Sequence, residues 1–252
     1  MILSFFGLRF NRRRSVWIFP VSLLALTMLF VGPLGTKFGI FDFQLGLLIL
    51  SFSFIFSTLI LLAEFVIFLK IFFSKDSLRS SFDMPQIFFG LFVFFAVTIQ
   101  LIPALDAPPI HNISTNTQPA PRFEAVVDIR KLSGSNPLEF RANPMNEQLQ
   151  KQSHPGLLPY RSNMKADDLI RKVESVVQEM GMEVVDVDLE NLRIESVSTS
   201  FWFGFKDDVL IQVRDYGDES LAEIRSVSRV GLSDLGKNAS RIKEIREKLE
   251  NN

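Results

Sequence analysis

The chain has no cysteine among its 252 residues. That absence excludes a disulfide scaffold, a zinc ribbon and a thiol nucleophile. Histidine is nearly as scarce. His111 and His154 fall in a loop-like stretch, without the helix or hairpin spacing a metal pair needs, so no metal site is expected and both read as surface or turn residues. A basic surplus is missing too. Residues 107–252 carry 19 Lys+Arg against 23 Asp+Glu; a mildly acidic surface does not suit phosphate binding, and nucleic acid is excluded as a partner. No nucleophile elbow, zincin helix or triad-type local pattern occurs. No catalytic residue is assigned, no cofactor is expected, and a periplasmic hydrolase is the least favoured reading.

What the chain has in plenty is hydrophobicity, and it is unevenly spread. Of 26 Phe, 21 precede Asp106. They lie in three apolar runs, about residues 16–34, 45–69 and 86–105, each near the roughly 20 residues a helix needs to cross the hydrocarbon. The first run is too long for a signal-peptide core and is not followed by a small-residue cleavage site. Residues 1–106 are therefore read as a membrane domain of three spans. Arg9, Arg12, Arg13 and Arg14 precede the first span, and Lys70, Lys75 and Arg79 lie between the second and third. Only Lys37 lies between the first and second. The positive-inside rule then places the N-terminus in the cytoplasm and the tail in a periplasmic or other extracytoplasmic space, behind a multi-pass anchor in the plasma (inner) membrane. Ser53 and Ser57 share a face with Gly46, and Ser22, Ala25 and Gly32 form a similar stripe, read as close helix packing. Glu64 reads as an interfacial carboxylate with a proton relay as the alternative, and Gln100 as a hydrogen-bond donor to a neighbouring helix.

Residues 107–163 are rich in Pro, Asn, Ser and Gln. They form an extended lead-in that either wraps the core or acts as a tether, with a strand over 123–129 and a short turn near 146–151. Asn112 and Asn238 each head an Asn-x-Ser glycosylation pattern. Residues 164–252 read as an α+β core. Leu169, Ile170, Val173, Val176, Val177 and Met180 recur at helical spacing over 166–180. Strands follow over 182–188, 192–199, 207–215 and 221–230, with a closing helix over 239–249 capped by Asn238. The fold class is thus a three-span helical membrane part plus an α+β domain, an antiparallel sheet of four or five strands with two helices on one face. In the second hairpin, pairing Tyr216 with Leu221 sets Arg214 opposite Glu223 and Asp208 opposite Arg229.

The run Ile224–Ile242, IRSVSRVGLSDLGKNASRI, leaves the last strand, turns through two glycines and enters the last helix. It resembles the signature of the family known as domain of unknown function 1499. The lead-in from Ile110 resembles that family's opening motif, with Asn112 and Asn116 where aspartates are expected, and Phe205–Val209 also fits. The resemblance spans residues 110–249. It implies a periplasmic or lumenal domain, often behind membrane helices, and no activity. Physically the corner has two readings. As an anion site, the helix N-terminus with Arg225, Arg229, Ser233, Asp234, Lys237 and Asn238 would hold a phosphate, carboxylate or lipid headgroup. As a structural corner, Arg229 serves Asp208 while Asp234 and Asn238 cap amides. A second cluster, Phe201, Trp202, Phe203 and Phe205, reads as the core edge of a strand or as a loop meeting the bilayer or an apolar ligand. The function expected is a membrane-anchored binding or envelope-maintenance module, with the bilayer as partner and an anionic ligand or membrane protein as further candidates. The alternative is an auxiliary subunit of a transporter or envelope complex.

Overall fold

A computed structural model describes residues 15–74, 84–102, 105, 107–131, 135–140 and 145–251. Arg9, Arg12, Arg13, Arg14, Lys75, Arg79, Pro103 and the side chain of Lys70 lie outside the described residues. The chain divides into two compact units, one of Met1–Ile102 with Phe201–Gly204, the other of Pro103–Ser200 with Phe205–Asn252.

The first unit holds α1 (Ser15–Lys37), α2 (Phe43–Ser74) and α3 (Met84–Leu101). Within them Ile18–Lys37, Phe43–Leu69 and Met84–Leu101 are long and apolar enough to cross a membrane. Their packing is inside out by the standards of a water-soluble bundle. Leu24, Leu59, Phe65, Phe88 and Ile99 face outward, while Ser22, Ser53, Ser57, Glu64 and Gln86 are buried. Such an order suits helices in lipid, where apolar burial between helices brings no gain and small residues allow close approach. Ser53 Oγ donates to the carbonyl of Ala25 across the helix pair at 2.6 Å. A Cβ on Gly32 would lie 2.6 Å from the carbonyl oxygen of Gly46, and one on Gly46 would collide with Thr36 Oγ1. Gly46→Leu is therefore expected to cost about 1–3 kcal/mol of overpacking, read as a lower melting temperature of the detergent-solubilised full chain; an unchanged value would count against this packing. Glu64 is only 6 % exposed, on the packed face of α2. One expectation changes here. Gln100 donates to Ala96 of its own helix at 2.9 Å, not to a neighbour, because α3 presents it outward.

In the second unit the elements run β1 (Asn112–Ser114), α4 (Ala125–Lys131), α5 (Asn146–Ser153), β2 (Tyr160–Ser162), α6 (Ala166–Glu179), β3 (Glu183–Asp188), β4 (Arg193–Thr199), β5 (Lys206–Asp215), β6 (Ser220–Ser228) and α7 (Lys237–Asn251). The sheet is antiparallel, in the order β1-β6-β5-β4-β3, with β2 also on β6. It has six strands because the lead-in supplies two short ones. The lead-in thus wraps the core. Its outer strand is finished by side chains: Gln150 accepts from Ser114 N (3.0 Å) and donates to Ser114 O (2.6 Å), and Asn146 donates to Asn112 O (2.9 Å). Those amides stand in for a missing strand neighbour, which a sheet edge needs.

Helix α6 forms where its apolar spacing says. It buries Leu169, Ile170, Val173, Val176 and Val177 against Ile194, Val209, Ile211 and Ile224 of the sheet and Ile242, Ile245 and Leu249 of α7. Gly181, at φ 68°, ends it in the left-handed conformation that glycine adopts at low cost. The other sheet face packs Leu210 and Val227 against Phe123 and Val126 of the lead-in. The stretch expected to be a strand at 123–129 is therefore helical. The cause is distant: the Glu195 carboxylate accepts from the amides of Glu124 (2.6 Å) and Val126 (2.9 Å), capping the start of α4. The β5–β6 register also differs, by two residues. Arg214 faces Leu221, Val213 faces Ala222 and Asp208 faces Val227. Gly217 and Asp218 make a two-residue turn closed by Tyr216 N to Glu219 O at 2.9 Å, so the strands turn back sooner than expected. A two-residue shift keeps every side chain on its face, and the ion pairs Arg214–Glu223 (3.2 Å) and Arg229–Asp208 (2.7 Å) form diagonally.

Candidate functional site

The corner joins β6 to α7. Gly231 (φ 86°) and Gly236 (φ 80°) supply left-handed backbone at its two ends, and Leu235 adopts φ 54° between them. A non-glycine residue there is strained by about 1–3 kcal/mol. Ser233 Oγ fixes the corner by donating to the carbonyl of Pro108 at 2.9 Å. Asp234 accepts from Gly236 N (2.9 Å) and Asn238 N (2.6 Å). Its carboxylate thus occupies the amides at the start of α7, the place an external anion would take. Burial pushes the Asp234 carboxyl upward, and the amide bonds oppose this. Asn238 is not the cap. It is fully buried, donating to the His111 carbonyl (3.0 Å) and Ser228 Oγ (3.0 Å) and accepting from Ser226 Oγ (2.6 Å) and Arg241 (2.7 Å). The helix starts two residues earlier than expected, at Lys237, which is exposed. Leu232 points outward at 83 % exposure.

The two arginines named from the sequence lie on the opposite sheet face. Arg229 holds Asp208 through Nε (3.1 Å) and Nη2 (2.7 Å). Arg130 of α4 reaches the same carboxylate at 2.6 Å, and Asp208 is wholly buried between the two. Arg225, 3 % exposed, has no carboxylate at ion-pair distance among the described residues, and feels Glu139 only through space. It donates to Asn112 Oδ1 (3.1 Å), to Pro121 O (2.6 Å) and to Leu138 O, between the rings of Phe123 (5.2 Å) and Phe140 (5.7 Å). Burial pushes its guanidinium down to about 10, so it stays a cation at neutral pH. Arg193 lies under the same cover, paired with Glu124 (2.5 Å) and Asp188 (3.2 Å). One face of the sheet is thus a buried charged layer roofed by the lead-in. Sequence reasoning missed Arg130, Arg193 and Glu195, whose partners across this layer are mostly far away in the chain.

His111 and His154 are half-buried, and both are held below the usual imidazole range, chiefly by burial. Among the described residues no three His, Asp or Glu side chains group as a metal-ligand set. Asn112 and Asn238, which head the glycosylation patterns, are both buried in the folded domain. A shallow open depression is lined by Glu147, Gln148, Lys151 and Gln152, with Glu147 and Lys151 already ion-paired at 2.6 Å.

The aromatic cluster is the turn between β4 and β5, not the edge of a strand. Ser200 N donates to Phe205 O (2.8 Å) and Phe205 N to Ser200 Oγ (2.9 Å), closing its base. Phe201–Gly204 belong with the helical unit. There Lys37 Nζ donates to the Phe201 carbonyl at 2.9 Å and lies 5.0 Å from its ring centre, and Trp202 packs on Phe30 at 5.8 Å.

The family model described as Protein of unknown function (DUF1499) matches residues 112–249, from β1 through most of α7. No curated protein matched the chain. Because the match covers more than half of the sequence, and follows three helices apolar enough to span a bilayer, the chain belongs to the DUF1499 family.

Proposed function

We propose that the protein is a membrane-anchored module whose C-terminal domain works outside the cytoplasm, binding a ligand or partner in maintenance of the envelope. The observation that carries the reading is the distribution of charge between the spans. Seven basic residues lie before the first span and between the second and third, against Lys37 alone on the other side. The corner supports a recognition role, since it keeps Leu232 and Leu235 exposed at the cost of a strained backbone. A reporter enzyme that is active only after export, fused behind Asn252, is expected to be active, and a cytoplasm-dependent reporter at the same place silent. The reverse pattern would overturn the orientation. A stoichiometric membrane protein co-purifying with the full chain in mild detergent would move the reading to an auxiliary subunit.

A further inference from the structure

We infer that the β4–β5 turn, Phe201–Gly204, is a membrane-inserted anchor, with Trp202 among the acyl chains and Phe201 at the headgroup boundary. The inference rests on the proposed reading that α1 crosses the bilayer. The stretch Ile18–Lys37 has 20 residues, about 30 Å of helix, which matches the hydrocarbon thickness and puts Lys37 at its boundary. Phe30 lies seven residues before Lys37, about 10 Å deeper along the helix. Trp202 packs on Phe30 at 5.8 Å, so its ring lies at the depth of the lipid tails and not at the surface. The face it meets is open and apolar: Phe30, Val31 and Leu34 are all partly exposed there. Lys37 marks the upper edge of the inserted turn. Its ammonium bonds the Phe201 carbonyl and lies over the Phe201 ring, an arrangement that suits a cation at the interface, where the stem is in lipid and the head must find acceptors. Phe201 itself is 78 % exposed and stands edge-on to Trp202. Phe201 beside Trp202 would be an adhesive spot if left in water, and a bilayer covers both rings. The occupant is therefore the bilayer that holds the chain's own helices. Gly204, at φ 67°, lets the backbone turn back beside Lys37, where a Cβ would come within 3.2 Å of the helix backbone.

The chain has two tryptophans, Trp17 in α1 and Trp202, so single-tryptophan forms of the full chain give a direct test. In vesicles of phosphatidylcholine and phosphatidylglycerol, W17F reports Trp202 and W202F reports Trp17. Trp202 is expected to emit at short wavelength and to lose about half its intensity with acyl-brominated lipid, with little quenching by aqueous iodide. Adding F201D to W17F is expected to shift the emission red and weaken the lipid quenching. If Trp17 is quenched by lipid and Trp202 only by iodide, the inserted turn is wrong while the span stands. If Trp202 is quenched by neither, it is covered by protein, and the lipid assignment falls. If neither tryptophan is quenched by lipid, the crossing by α1 fails as well.

Discussion

Asp208→Asn is expected to destabilise the C-terminal domain by about 3–5 kcal/mol, because it leaves two buried arginines facing a neutral amide. Asp208 is 0 % exposed, and its partners Arg130 and Arg229 have side chains 5 % and 12 % exposed. Urea unfolding of the full chain in detergent, followed by pulse proteolysis of the domain, measures the loss. The contrast is Arg161→Ala, which breaks the surface pair with Glu219 (71 % and 47 % exposed) and is expected to cost under about 1 kcal/mol. Similar losses for the two variants would show that the charged layer contributes no more than a surface pair.

Arg225→Ala is expected to be as costly, about 3–5 kcal/mol, by a different route. It removes a donor from each of Asn112 Oδ1, Pro121 O and Leu138 O and opens a void between Phe123 and Phe140. Arg225→Lys should recover only part of the loss, since an ammonium lacks the planar fork that reaches three acceptors and lies flat between two rings. The measurement separates the two readings of the corner motif. An arginine kept for an external anion is a liability in the empty protein, and its removal would leave stability unchanged or raise it. A large loss identifies Arg225 as the peg that fastens the lead-in to β6.

The parts of the fold that were legible share one property: their pattern is local. The spacing of Leu169, Ile170, Val173, Val176 and Val177 specifies α6 because all five fall on one face. The three apolar helices were readable for the same reason, and they correspond closely to the expected spans, though α2 runs on to Ser74 and α3 stops at Leu101. The lead-in was legible only as polar and irregular. Its β1 and β2 have three residues each, too short for a period, and α4 depends on Glu195, about seventy residues away. The hairpin register was misread because opposite charges satisfied diagonally look, in sequence, like charges satisfied directly. At the corner the structural reading was legible in part: Arg229 pairs with Asp208 and Asp234 caps the amides at the helix start, while Asn238 turns inward and is buried.

The pairing of β1 and β2 with β6 has a consequence for the order of synthesis. Asn112 must meet Val227, and Ser114 must meet Arg225, so the first strand made waits for the last. At roughly 5–20 residues per second the ribosome needs several seconds to cover that distance. Throughout that interval the lead-in has no strand to pair with, and Phe123 and Phe140 have no Arg225 to enclose. The sheet therefore closes late, in one long-range step, after β6 has been made, and α4 and α5 depend on the same step for their burial.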